Sequence, residues 1–140
     1  MAKTRPQLPL VEPVYDKSRP MPNILPVYRY QLSNSPGKSI VGLQVTFPPN
    51  GSTPPHRHAG AFLAVAIFSG SVLNKVNNDP MQIIHAGGSF HEHPGCHHKI
   101  SDNASKTEEV ALFVTLVLDT EVLNRVGIEG LVEIDEEYRQ

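Results

Sequence analysis

The chain has 140 residues, a typical length for one domain with its own core and too short for two. Its formal net charge is -2 and its lysines and arginines form no run, so we expect no nucleic-acid partner. No apolar run approaches the roughly 20 residues that cross a bilayer, and the single cysteine excludes an internal disulfide. We therefore expect a cytoplasmic protein with no membrane partner.

The N-terminal segment, residues 1–26, is rich in proline. Proline cannot donate a hydrogen bond to a sheet and it stops helices, so we predict an extended arm. The arm also carries apolar residues such as Leu10, Val14 and Leu25, more than a disordered segment needs. We expect it to lie along the rest of the protein or across a second subunit, in a homodimer.

Residues 27–118 consist of short apolar runs separated by turns. In the run 40–47 the residues Val41, Leu43, Val45 and Phe47 fall on one face of a strand. Residues 61–68 are apolar on both faces, which predicts a strand covered by a second layer or a second subunit. Many short strands with Gly, Pro and Asn turns between them predict an all-β barrel or jelly roll.

The pattern changes in residues 119–140. Residues 120–126 predict a short helix that ends at Gly127, and an acidic run follows. We predict a solvated cap over one mouth of the barrel. A lid that becomes ordered over the substrate is the alternative.

Three histidines are spaced as metal ligands. His56 and His58 stand two residues apart, so on a strand both rings point to the same face. His98, in a run that ends with two histidines, can join them from a neighbouring strand. Three imidazoles suit Fe, Mn, Ni, Cu or Zn and leave positions free for water or substrate. We predict one divalent transition metal ion bound by His56, His58 and His98.

Two patterns, in residues 51–70 and 87–103, surround these histidines. They contain Gly51, His56, His58, Gly70, Gly87, Gly95, His98 and Asn103. This arrangement resembles the two motifs of the cupin superfamily, although Gly51 stands one residue nearer to His56, His93 replaces a proline, and Asn103 comes one residue late. The resemblance implies a single jelly-roll barrel, a metal ion on the histidines, a small-molecule substrate and a dimer formed through an N-terminal strand.

The chain departs from the first motif at one ligand. Cupins that use a glutamate in this motif have it where this chain has Leu63, and leucine cannot bind a metal. Either the three histidines act alone or another carboxylate joins them. Glu92 is the candidate, because it lies before His98 with the same strand parity. An ordinary glutamate at a strand end is the alternative.

The resemblance leaves the reaction open. A dioxygenase is favoured, because oxygenases are common in the cupin superfamily and three histidines on one face leave room for O2. The expected lining, apolar with few fixed charges, fits a small aromatic or enolic, polyketide-like substrate. The first alternative is an isomerase, cyclase or lyase, in which the ion acts as a Lewis acid and Glu92 or His93 moves a proton. The second is a non-catalytic cupin that only binds a ligand or a metal.

Overall fold

The computed structural model describes residues 4–139. The chain forms β1 (Asn23–Gln31), β2 (Lys38–Phe47), β3 (Ser52–Thr53), β4 (His56–Arg57), β5 (Phe62–Ser69), β6 (Ser71–Val76), β7 (Gln82–His85), β8 (Ser89–Glu92), β9 (His98–Asn103) and β10 (Val110–Asp119). Helix α1 (Thr120–Val126), a 3-10 helix (Glu129–Leu131), β11 (Glu133–Ile134) and a second 3-10 helix (Glu136–Tyr138) follow.

The strands form two antiparallel sheets. The first has the order β1-β2-β10-β5-β8, and the second has β11-β4-β9-β6-β7 with β3 paired to β9. The two sheets form a jelly-roll barrel, so the predicted all-β fold is confirmed. Within residues 4–139, no helix is long and apolar enough to span a membrane.

The core of the barrel follows from the period-two pattern. Strand β2 pairs with β10 along its whole length, and its inward side chains alternate with more exposed ones. The predicted inner face of β2 is confirmed, because all four of its apolar residues are buried. These residues are Val41, Leu43, Val45 and Phe47.

The N-terminal arm is anchored to the second sheet by one arginine. The Arg19 guanidinium donates to a carboxylate oxygen of Asp102 at 3.0 Å and to the Asn50 carbonyl oxygen at 2.9 Å. Strand β1 then begins at Asn23, before the predicted boundary at residue 27. It is an edge strand with its apolar side chains largely exposed, as Leu25 illustrates at 60% exposure. The arm is therefore continuous with the barrel.

The C-terminal segment belongs to the core, and is not merely a solvated cap. Leu123 of α1 and Leu131 are both fully buried in the same apolar cluster as the barrel strands. Strand β11 pairs with β4, and the Asp135 N–H donates to the Pro55 carbonyl oxygen at 2.9 Å. The predicted helix 120–126, ending at Gly127, is confirmed. The segment closes the barrel beside the two histidines of the first motif.

Candidate metal centre

The three predicted histidines lie together inside the barrel. His56 on β4 is directly opposite His98 on β9, and both are buried. His58 follows β4 with the same parity as His56, and their ring centroids are 4.6 Å apart. One nitrogen from each ring can be chosen so that all three atoms lie within 4.8 Å of one another. The histidines are therefore positioned to bind a metal ion.

Each histidine donates one ring N–H to an oxygen outside the cluster. A backbone carbonyl oxygen only accepts, so the hydrogen bonds of His56 and His58 fix their tautomers and leave the other ring nitrogen with a free lone pair. The Asn74 amide, with its oxygen toward the ring, has the same effect on His98. The hydrogen bonds run from His56 Nδ1 to Pro54 O (2.8 Å), from His58 Nδ1 to Leu131 O (2.8 Å) and from His98 Nε2 to Asn74 Oδ1 (2.5 Å). Partners of this kind are what orient histidines in metal sites.

Glu92 reaches the same centre from β8, a strand of the first sheet. It is buried on β8, directly opposite Leu63 of β5, so the two side chains share one face of the sheet. Its Oε2 lies 3.4 Å from His58 Nε2 and 3.3 Å from His98 Nδ1. The carboxylate therefore stands beside the position where the first cupin motif has its glutamate.

Four buried atoms of this cluster have no hydrogen-bond partner in the described structure: His58 Nε2, His98 Nδ1 and both carboxylate oxygens of Glu92. All four are acceptors when the histidines hold the tautomers set by their outer hydrogen bonds. Buried acceptors that face one another without a donor are unfavourable unless a cation lies between them. The three imidazoles fit a divalent transition metal ion.

Burial keeps His56 and His98 in the form that binds metal. Desolvation, assisted by the charge of His58, lowers the pKa of His56 from 6.5 to about 3. Desolvation and the charges of His56 and His58 lower the pKa of His98 well below its usual value. Both rings are neutral near pH 7, so no proton has to leave them before a metal binds.

A cavity of about 250 Å³ adjoins the cluster, and its walls are predominantly apolar. The described lining contains no lysine or arginine. Thr53, Ser101 and Glu129 are its polar residues apart from the histidines and Glu92. The apolar lining is formed by Met21, Pro22, Ile24, Leu43, Val45, Phe47, Leu63, Val65, Phe90, Leu112, Val114, Leu116, Leu131, Val132 and Ile134.

Residues 43–116 match the family model described as cupin domain. This chain belongs to the cupin family. The match includes all three histidines and Glu92, and it agrees with the jelly-roll fold. A comparison with curated proteins gave no match.

Solved structures of other cupins share the fold of this cupin. The Schizosaccharomyces pombe Cnp3 cupin domain is 20% identical, with a TM-score of 0.58 over 76% of this chain and 68% of that chain. A recombinant oxalate oxidase in complex with glycolate is 20% identical, with a TM-score of 0.54 over 77% of this chain and 59% of that one. The DMSP lyase DddQ from Ruegeria pomeroyi DSS-3 is 18% identical, with a TM-score of 0.51 over 59% of this chain and 40% of that one. This cupin spans less than two thirds of the oxidase and lyase chains, and at these identities the likeness shows the fold alone.

The structure does not bring His93 to the cavity of this cupin. It follows Glu92 directly, so it points to the opposite side of the sheet, where it is exposed. Its ring contacts Phe62 and His91 at centroid distances of 5.8 and 5.0 Å. Two residues of the site had not been expected from the sequence, Asn74 and Leu131, which accept the hydrogen bonds of His98 and His58.

Proposed function

We propose that this cupin is a metal-dependent enzyme that acts on a small, uncharged aromatic or enolic compound, with dioxygenase chemistry favoured. His56, His58 and His98 would hold one divalent ion, and Glu92 would complete the donor set. One observation carries the proposal. Four buried acceptor atoms of His58, His98 and Glu92 face one another with no hydrogen-bond partner, an arrangement that a shared cation stabilises.

The cavity supports an uncharged substrate. A carboxylate or phosphate substrate would need a cationic partner, and the described lining offers no lysine or arginine. The buried carboxylate of Glu92 would also repel an anion at this short range. An aromatic or enolic ring instead finds apolar contacts on Phe90, Val114 and Leu116. A dicarboxylate such as oxalate is therefore not the expected substrate.

The residues of the chain prepare this chemistry in two ways, and a bound ion would add to them. Leu131 and the Pro54 carbonyl hold His58 and His56 with free nitrogens directed at the centre. Apolar walls exclude water from the reacting atoms, which strengthens the electrostatic interactions there. When bound, a divalent ion supplies Lewis acidity toward an enolate or phenolate oxygen and, if it is redox-active, electron transfer to O2.

Proton transfer by an isomerase, cyclase or lyase is the second candidate, and one observation favours it. Glu92 Oε1 is buried without a partner, so this oxygen can take a proton from a substrate carbon or hydroxyl group. His93 does not contribute to this role from the outer side of the sheet. Glu92 would act alone or with Glu129 at the edge of the cavity.

Turnover with and without O2 tests the proposal. We expect protein reconstituted with Fe(II) or Mn(II) to consume O2 with an aromatic or enolic probe, such as catechol or a cyclic 1,3-diketone, and not with oxalate. His56→Ala should retain no metal, whereas His91→Ala, an exposed control, should retain it. Equal turnover without O2 would identify the isomerase or lyase class. Ligand binding without any turnover would indicate the non-catalytic class, and wild-type protein that retains no metal would refute the centre itself.

We also propose that the protein is a homodimer. The side chains of β1 form an exposed apolar edge, and Phe68 on the outer side of β5 is 65% exposed. An unpaired edge strand with apolar side chains is a surface that proteins normally cover. No other part of the described chain covers Phe68 on the strand 61–68. We therefore propose that a second subunit covers it.

A further inference from the structure

Asn74 holds His98 in an orientation that differs from that of the other two histidines. His56 and His58 donate from Nδ1 to backbone carbonyl oxygens and turn Nε2 inward. His98 donates from Nε2 to the Asn74 side chain at 2.5 Å and turns Nδ1 inward, 3.3 Å from Glu92 Oε2. Both Asn74 and His98 are buried, so water does not compete for this hydrogen bond.

An irregularity between two strands places Asn74 beside His98. Asn74 on β6 is directly opposite Ser101 of β9, and Ser101 lines the cavity. Directly opposed residues share a face of a sheet, so Asn74 also lies on the interior face. A register shift between Lys75 and Val76 then brings Val76 opposite His98. The shift lets both His98 and Ser101, three residues apart, face the interior, which a regular strand does not allow.

We propose that Asn74 is a positioning residue that fixes His98 as its Nε2–H tautomer, so that the centre receives Nδ1 from His98 and Nε2 from His56 and His58. The proposal deepens the proposed metal centre and rests on it for its functional meaning. The hydrogen bond itself is a property of the metal-free chain, so it can be measured independently of any metal.

Reversal of the Asn74 side-chain amide would give the other tautomer of His98. If the Asn74 amide were reversed, its NH2 group would donate to His98 Nε2, and the ring proton would reside on Nδ1. That proton would point toward Glu92 and would block Nδ1 as a ligand. The two arrangements therefore differ in which nitrogen of His98 carries the proton, and this difference is directly observable.

Nitrogen-15 NMR of the metal-free protein decides between the two tautomers of His98. Long-range proton–nitrogen correlation at pH 7.5 should show His98 with a protonated Nε2 and an unprotonated Nδ1. Asn74→Asp keeps an acceptor oxygen and should preserve this tautomer. Asn74→Leu has a similar size without an acceptor and should lose the preference. A protonated Nδ1 in the wild-type protein would overturn the proposal, and this readout needs no variant to fold.

Zinc affinity, measured by competition with a chelator, links the tautomer to the centre. Loss of a hydrogen bond that orients a ligand typically weakens metal binding by about 10- to 100-fold, and we expect this for Asn74→Leu. Ser71→Ala is the matched control, because it removes a buried partner of His85 from the same strand without touching the centre. Equal zinc affinity of the wild type, Asn74→Leu and Ser71→Ala would contradict the positioning role. If no variant binds zinc, the proposed function fails while the NMR result still decides the tautomer.

Discussion

Burial determines the protonation of two histidines of the candidate metal centre. His56 and His98 lie in the barrel interior, where a charged imidazolium would lose its hydration. Their folded-state pKa values are lowered for this reason, and that of His56 falls to about 3. The rings stay neutral in the folded protein at a pH at which they take up protons in the unfolded chain. This difference links the stability of the metal-free protein to pH.

We expect the metal-free protein to lose stability between about pH 6.5 and pH 3. In this range the unfolded chain binds a proton at His56 that the folded protein does not, so the free energy of unfolding falls as the pH falls. For His56 the loss at pH 5 is about 2 kcal/mol. Urea unfolding at pH 7.5 and pH 5 measures it. His56→Gln should show a smaller loss than the wild type, and the exposed control His91→Gln an equal one. An unchanged urea midpoint in the wild type would argue against neutral buried rings.

At the scale of elements, the pairing of β5 with β8 explains how a carboxylate can reach the centre although the first motif lacks one. Leu63 and Glu92 are opposite each other, so a carboxylate on either strand enters the same part of the interior. We therefore expect a carboxylate at position 63 of β5 to replace the one at position 92 of β8.

An exchange of the two residues tests this equivalence. Glu92→Leu should lower zinc affinity, and adding Leu63→Glu should restore a large part of it, because the carboxylate returns from the opposite strand. Adding Val65→Glu instead is the matched control, since Val65 is opposite Phe90 and further along β5. Zinc competition measures all three proteins. Equal affinities for the two double variants would show that the register does not determine the ligand position.

Sequence patterns predicted the parts of this site that lie on strands with regular spacing. The alternation in β2 predicted its inner face, and the spacing of His56, His58 and His98 predicted the cluster that is positioned to bind a metal. Glu92 was also expected near His98, but it reaches His98 from the other sheet, which the parity of residues along one strand does not predict. The hydrogen-bond partners followed no such pattern. Leu131 acts through a backbone carbonyl, which every residue has, and Asn74 comes close only through the register shift between β6 and β9.

Over the whole molecule, exposed apolar surface is concentrated on the first sheet and the arm. Leu25, Val27 and Tyr30 of β1 are each more than half exposed, as is Phe68 of β5. The arm itself is fixed to the barrel by Arg19, so this surface has a defined shape. A fixed apolar surface of this kind is typical of a contact between subunits.

We expect sedimentation velocity to show a dimer that a charge on β1 disrupts. Val27→Glu places a carboxylate on the exposed edge strand and should shift the protein toward the monomer, because a buried unpaired charge is costly. Lys106→Glu, which places a carboxylate at an exposed polar site and changes the net charge by two units rather than one, should leave the dimer intact. A wild-type monomer at micromolar concentration, or identical behaviour of both variants, would speak against a dimer through this surface.

The hydrogen bond from His58 to the Leu131 carbonyl has a consequence for the order of events during biosynthesis. The three histidines and Glu92 are all synthesised before residue 131, and the barrel strands as far as β10 also precede it. Until Leu131 is in place, His58 lacks the acceptor that fixes its ring, and β11 is not paired beside His56. Protein chains generally fold as domains during or after their synthesis. In this protein, the full set of oriented histidines can exist only after residue 131 has been synthesised, so we expect the proposed metal binding to be a late step in its maturation.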